Sequence, residues 1–384
     1  MSTTFDFAVI GAGVFGAWTA KYLRDSGASV VLVDAYGPGN SRSSSGGETR
    51  IIRLGYGRDE LYTRWAMRSF PLWRELFDHT GRSLFHPTGV LWLADHTDPH
   101  LQGMWELLQR LNAKCEKLSG DEVRKRYPQL RFEDTTLAVL EPESGVLLAR
   151  QAVQALTVQL LKAGVECRAA AVEPPQGEGK LDGIRTSDGQ FISAGTFVFA
   201  CGAWLPKLFR DLLSDRIFPT RQEVFFFGSP PGSEDFNPPR MPAWLHHTHP
   251  DRPYALPNIE NRGFKIALDA HGPEFDPDTD SRLVSQYSVE RVRSYLTRHV
   301  PTLAEAPVVE TRVCQYENTW NGDFLIDRHP SLTNVWLVGG GSGHGFKHGP
   351  AVGEYLSALI LNSAAAEPRF LLSSKQRKKA REVY

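Results

Sequence analysis

Short, wholly apolar runs punctuated by glycine set the rhythm of this chain. Phe7-Ala8-Val9-Ile10 and Val30-Val31-Leu32-Val33 are too short for helices and read as strands buried on both faces. Between them come Gly11-Ala12-Gly13-Val14-Phe15-Gly16 and a helical stretch through Trp18, Tyr22 and Leu23, with Gly27 placed to cap its end. Asp34 closes the second run, so the N-terminal segment predicts one βαβ unit. The same pattern returns three times. Gln151 to Lys162 predicts a helix stopped by Gly164, with a strand from Val165 to Val172. Phe197-Val198-Phe199-Ala200 predicts a strand entering the turn Cys201-Gly202-Ala203-Trp204. Val335-Trp336-Leu337-Val338 predicts a strand, followed by a glycine-rich segment to Gly345 and a helix from Pro350 to about Leu361. Residues 35–58, rich in Gly, Ser and Arg, read as a long functional loop. Residues 215–310 differ in character: aromatic strands such as Val224-Phe225-Phe226-Phe227, proline-rich turns and a charged helix near 289–299.

The pattern predicts an α/β fold: a Rossmann-like dinucleotide-binding domain built from residues 1–85, 146–214 and 311–384, with an inserted α+β substrate domain from 86–145 and 215–310. Composition narrows the function. The 384 residues are 41% hydrophobic and 23% charged, a balance that fills large cores. The formal net charge of −1 argues against a nucleic-acid binder, which shows a strongly basic domain. No apolar run reaches bilayer-spanning length, and the N-terminus lacks the features of a signal peptide. Four cysteines make no disulfide framework and point to the cytoplasm.

Gly11, Gly13 and Gly16 fit the dinucleotide fingerprint, in which the first glycine makes the tight turn, the second admits a pyrophosphate and the third lets helix pack on strand. The helix start at Val14 and Phe15 offers amide donors to phosphates. Asp34 is placed to accept hydrogen bonds from a ribose and disfavours a 2′-phosphate, which leaves NAD and FAD both open. The segment after Asp34 favours FAD. Ser43, Ser44, Ser45, Gly46 and Gly47 let backbone approach a flat ring, where a simple NAD domain would continue with further βα units. Arg50 and Arg53, separated by Ile51-Ile52, either hold anionic groups there or are solvated surface residues.

Five blocks in order give the chain a resemblance that covers nearly all of it. The N-terminal fingerprint, Glu48-Thr49-Arg50-Ile51-Ile52-Arg53, Gly263-Phe264-Lys265-Ile266, Cys314-Gln315-Tyr316 and Gly343-His344-Gly345-Phe346-Lys347 resemble the monomeric sarcosine oxidase and N-methyltryptophan oxidase family of flavoenzymes. The resemblance implies a fold of the glutathione-reductase and D-amino-acid-oxidase kind, and FAD attached covalently through Cys314. Cys115, Cys167 and Cys201 have no such context and read as core or surface thiols. It implies that Lys265 promotes O2 reduction, because a preorganised cation stabilises the anion formed by the first electron transfer. It implies that Arg53 and Lys347 hold a substrate carboxylate, that Tyr254 and Tyr316 line the pocket, and that Arg50 lies beside the flavin ring. Gly343, His344, Gly345 and Lys347 precede a helix, where backbone amides favour the charge of a reduced flavin. Val172 and Gly202 match positions along the adenine and pyrophosphate. The expected enzyme is a monomeric oxidase of a secondary amino acid that takes a small-molecule substrate and O2. A dehydrogenase with another electron acceptor and a non-catalytic flavin subunit are the alternatives.

Two departures bear on the substrate. Asp269 stands where sarcosine-specific members have a histidine, and Arg58 where they have a glutamate, so a bulkier or more polar amine is expected in the pocket. His246, His247 and His249 lack a zinc-like spacing and read as pocket or surface residues, with no metal. Lys375 to Arg381 read as a solvated tail.

Overall fold

Three β-sheets organise the chain, of which the computed structural model describes residues 4–133 and 136–377. The first sheet grows outward from the N-terminal βαβ unit. Strand Thr4–Ile10 lies between Val30–Asp34 and Phe191–Phe199, all parallel. Glu166–Ala169 extends one side and Val335–Gly339 the other, both in parallel, and Leu325–Arg328 adds antiparallel at the edge. Parallel strands joined by crossover helices are covered on both faces, which is why these runs are uninterruptedly apolar. Helices Val14–Asp25, Ala149–Lys162 and Gly349–Ile360 supply the cover on one face, with Trp18, Leu156 and Leu356 in its core.

The second sheet has eight strands, ordered Val308–Thr319, Ile217–Phe227, Phe264–Leu268, Pro253–Leu256, Ala243–His246, Val90–Asp95, Thr136–Glu141 and Glu116–Ser119. Its longest pair, Ile217–Phe227 with Val308–Thr319, is antiparallel. Helix Gln286–His299 packs Val292 and Leu296 into the core of this sheet. A third, three-stranded sheet joins Arg50–Ile52 to Gly145–Leu147 and Phe85–His86. The positions 145/146 and 310/311 fall inside strands Gly145–Leu147 and Val308–Thr319, so Cys314 and Tyr316 ride on the second sheet and reach the first across the interface.

Most predicted elements form with small shifts of their ends. The long loop at 35–58 contains strand Arg50–Ile52, and Val172 lies beyond the strand Glu166–Ala169, in an isolated bridge to Thr186. Helix Glu60–Thr80 has no counterpart in the sequence reading and carries Pro71 within it. Its Trp73 is fully buried, edge-on to Trp18 with ring centroids 5.2 Å apart. Burying one such ring contributes about 3 kcal/mol, comparable to the cost of an interior proline. The expected solvated tail is corrected at its start. Lys375 is fully buried, its Nζ donating to Asn321 Oδ1 at 3.1 Å and to the Arg369 carbonyl at 2.6 Å. Residues 378–381 of that tail lie outside the described residues.

Candidate active site

A cavity of about 430 Å³ runs along the carboxyl ends of the first sheet's strands and reaches the second sheet at Cys314. Its floor is the first βα turn. Gly11 has φ +105°, and a Cβ there would lie 2.2 Å from the Ala200 carbonyl oxygen; one on Gly16 would lie 1.9 Å from the Gly11 oxygen. These two glycines are demanded by the protein's own backbone. Gly13 is different, because the nearest neighbour of a Cβ there is Ser45 Oγ at 3.4 Å, an ordinary contact. Ser45 also caps the helix from outside it, its Oγ accepting from Val14 N at 3.1 Å. Gly11, Gly13, Val14, Phe15, Ser44 and Ser45 all line the cavity. Asp34 lines it too, pinned by the Ala12 amide at 2.7 Å and the Tyr36 amide at 2.9 Å, with burial raising its carboxyl pKa. Val172 and Gly202 line the far side, and Arg50, Cys314, Gly343 and Gly345 the inner end. Gly16 is not on the wall; it serves the packing beneath.

A smaller cavity, about 80 Å³, opens from that inner end and shares Arg50, Cys314, Tyr316 and Gly343 with it. Arg53, Tyr254, Asp269, His344 and Lys347 complete its chemistry. Both cations are buried. Arg53 lies with its guanidinium 4.5 Å from the ring centroids of Tyr56 and of Trp92, and its Nη1 donates to the Gly55 carbonyl. Lys347 Nζ donates to Tyr56 Oη at 2.8 Å and to the His344 carbonyl at 2.9 Å. Burial pushes its pKa far down, and Arg53 adds to the effect. Tyr56 thus serves both cations, its ring under one and its hydroxyl on the other. That hydroxyl also meets His344 Nδ1 at 3.1 Å and His348 Nε2 at 2.7 Å.

The same pocket is lined by Asp269, half-buried, its Oδ1 accepting from the Tyr316 hydroxyl. Burial raises its pKa to about 6 against the pull of Tyr316, Arg53 and Lys347. Arg50 donates to the carbonyls of Thr49 at 2.8 Å and Ser44 at 2.6 Å, and its Nη2 lies 3.6 Å from Cys314 Sγ.

Two residues stand elsewhere than the sequence suggests. Lys265 is buried but lines neither cavity. Its Nζ donates to the Thr49 carbonyl at 2.9 Å and Oγ1 at 3.2 Å, and lies 5.9 Å from the Tyr254 ring centroid. Burial and the Arg50 guanidinium drive its pKa far below that of a free lysine. Arg58 is not a pocket residue at all. It follows the turn at Gly57, points to solvent and pairs with Glu106 at 2.9 Å. The histidines of 246–249 turn to aromatic neighbours: His246 Nδ1 meets Tyr295 Oη at 3.0 Å, and His247 stacks on His100 with centroids 4.1 Å apart. Sequence reasoning missed Tyr56, Trp92, Glu317 and Glu141. Tyr56, three residues after Arg53, and Glu317, next to Tyr316, lay close enough to a motif to be found.

Sheet order, glycine turn, an acid at the end of the second strand and the long cleft together define a dinucleotide-binding oxidoreductase fold. Residues 6–359 match the family of FAD dependent oxidoreductases, and the chain belongs to that family. It is 33% identical over 371 residues to the monomeric sarcosine oxidase of Bacillus sp. (strain B-0618), covering 94% of this chain and 93% of that one. It is 30% identical over 358 residues to the N-methyl-L-tryptophan oxidase of Yersinia pestis (strain Pestoides F), covering 91% and 93%. The resemblance read from the five blocks is borne out. The solved structure of L-proline dehydrogenase from P. horikoshii has the same fold, with a TM-score of 0.83 at 22% identity over 98% of this chain and 100% of that one.

The cofactor of this family is FAD, and the long cavity fits it. Gly13 keeps open a space that no protein atom needs, where a pyrophosphate approaches backbone. Asp34 sets a carboxylate in the cavity wall, a group that suits the hydroxyls of a ribose. Glu317, buried in the cavity wall, has the Gly340 and Gly341 amides at its carboxyl but, among the described residues, no hydrogen-bond partner for Oε1. Burial raises its pKa to about 8, so at neutral pH it is an acid with a proton to donate.

Proposed function

We propose that the protein is an FAD-dependent oxidase of a secondary amino acid, N-alkyl or cyclic and bulkier than sarcosine. One observation carries this reading: two buried cations, Arg53 and Lys347, and a half-buried carboxylate, Asp269, line one small pocket that opens beside Cys314. Such a pocket suits a zwitterion. The cations grip the substrate carboxylate, Arg53 with two parallel hydrogen bonds and Lys347 with a point charge. Asp269, ionised above pH about 6, meets the ammonium group and stands to accept its proton, leaving the neutral amine that can lose a hydride. Tyr316 holds Asp269, and Tyr254 bonds Tyr316 and shapes the wall. FAD, when bound, would supply the hydride acceptor and the route of the two electrons to O2, with hydrogen peroxide as the product. The released imine hydrolyses in water.

For the cofactor, the fingerprint turn, Ser44, Ser45 and Asp34 hold the dinucleotide. Cys314, at the junction of the two cavities, is the residue that joins the flavin through sulfur. Lys265 holds a desolvated charge beside Thr49 and Tyr254 for the reduction of O2. The first sheet with its helices forms the FAD-binding domain and the eight-stranded sheet the substrate-binding one. The enzyme works as a monomer, supported by the naming of the Bacillus relative, and in the cytoplasm, supported by four cysteines that are all free.

Anaerobic bleaching of the flavin by a panel of N-methyl, cyclic and primary amino acids tests the substrate class. Secondary amino acids larger than sarcosine should bleach it fastest. Brisk turnover of sarcosine, or equal bleaching by an amine without a carboxylate, would overturn it. Acid precipitation tests the linkage: the yellow colour should stay with the protein and be lost in Cys314→Ala. The placement of Lys265 outside both cavity walls favours a second reading, a dehydrogenase with a carrier other than O2. Peroxide formation under air at the rate of substrate loss rules that reading out.

A further inference from the structure

We propose that Glu141 is the positioning residue that mounts Arg53 and thereby sets where the substrate carboxylate is gripped; this rests on the role given to Arg53 above. Glu141 ends strand Thr136–Glu141 and is 1% exposed. Among the described residues no cation pairs with it directly; four donors do instead. Oε2 accepts from Leu54 N at 2.6 Å and Ser144 Oγ at 2.6 Å, and Oε1 from Gly55 N at 3.0 Å and Trp92 Nε1 at 2.9 Å.

Three of those donors converge on Arg53. The amides of Leu54 and Gly55 belong to the turn that Arg53 enters, and the Gly55 carbonyl in that turn accepts from Arg53 Nη1. The Trp92 indole is one of the two slabs between which the guanidinium lies, 4.5 Å from its ring centroid. Tyr56, two residues beyond Leu54, is the other slab at 4.5 Å. A stacked guanidinium keeps its in-plane N–H groups for a ligand only if both slabs and the edge contact stay in register. One carboxylate fixes the indole by its N–H and the edge contact by its turn. An apolar residue of the same size fills the space but leaves four donors unpaired.

The charge matters as well as the bonds. Arg53 and Lys347 repel one another in a desolvated pocket, and each disfavours the other's protonated state. Asp269 and Glu141 are the two anions that favour protonated Lys347. Asp269 faces the substrate and is neutralised by its ammonium group, so Glu141 is the counter-charge that remains when the pocket is full. The residue is a structural mount and an electrostatic balance at once, set behind the lining of the small pocket.

The test is a double-mutant cycle on the flavin-loaded enzyme, with KM and kcat for its amino-acid substrate and the Kd of (methylthio)acetate, a carboxylate with no amine to oxidise. In Glu141→Gln, KM and Kd should rise together by about 10–100-fold while kcat changes less than about threefold, with flavin content unchanged. In an Arg53→Ala background the same change should add almost nothing, because the group it positions is gone. An equal penalty in both backgrounds overturns the inference and leaves the role of Arg53 standing. An Arg53→Ala enzyme with unaltered KM and Kd sinks that role, and this inference with it. Should Glu141→Gln not fold, Trp92→Phe removes the indole N–H and keeps a ring. It should raise KM alone by about tenfold, again only when Arg53 is present, and an unchanged KM counts against the mount.

Discussion

The long cavity and the small one share a wall at Cys314 yet are made of different material. The long one is founded on backbone: a glycine turn, the amides that begin Val14–Asp25, and the carboxyl ends of parallel strands, with Asp34, Asp278 and Glu317 as its acids. The small one is side chains: two cations, a carboxylate and aromatic rings, each supported by residues from a different part of the chain. The first binds a ligand by what it leaves out, a missing Cβ or an open amide. The second binds by charges that are costly to bury and must be held against one another. Substitutions should therefore fail differently in the two places.

The largest effects belong to the side-chain pocket. Arg53→Ala should weaken substrate binding by about 2–5 kcal/mol, since the incoming carboxylate loses a buried cationic partner. Steady-state KM against kcat reads it, and a loss confined to kcat breaks the comparison. Next is Lys265→Met, which should slow reoxidation by O2 about 10²–10³-fold while flavin reduction changes far less. Stopped-flow measurement of the two half-reactions separates them, and equal slowing marks the lysine as structural. Because its folded pKa is depressed, the wild-type oxidative rate should fall as pH rises, well before a free lysine would titrate.

The backbone-built cavity should give a sharper contrast at smaller cost. Gly11→Ala forces a Cβ onto the Ala200 carbonyl at a positive φ and should destabilise the protein itself by about 3 kcal/mol. Gly13→Ala should leave apoprotein stability within about 0.5 kcal/mol yet lower FAD affinity. Thermal unfolding with FAD fluorescence quenching, in a Cys314→Ala background, checks both. Equal loss of stability at the two positions would erase the distinction between a turn glycine and a ligand glycine. The smallest effect is on pH. Asp269 holds its proton up to about pH 6, so kcat/KM should rise with pH through that value as the carboxylate forms, and Asp269→Asn should lack that limb. Persistence of the limb in the variant assigns it to another group.

How far each region was legible in the sequence reflects the same contrast. The glycine turn, Ser45 and Asp34 sit within 35 residues of one another, and the strand, turn, helix, strand order shows their purpose locally. Cys314, Lys265 and Lys347 were legible only through resemblance, because a lone cysteine or a buried lysine carries no local signature. Arg58 misled because sequence alignment preserves position and not direction, and the turn at Gly57 sends its side chain to solvent. Lys375 read as tail because a charged C-terminal run usually is; the carbonyl of Arg369 and the amide oxygen of Asn321 gave it buried partners.

The chain by itself determined its α/β class, the dinucleotide turn and the side of the sheet on which a cofactor lies. Those features come from sterics and hydrogen bonding between residues near in sequence, where a positive φ or a short apolar run has few solutions. Only the tertiary structure decided that Glu141, Trp92 and Tyr56 hold Arg53, that Asp269 lines one pocket with the cations and that Lys265 sits behind Thr49. Those relations join distant segments, and their strength comes from exclusion of water, which exists only once the two sheets have closed on each other.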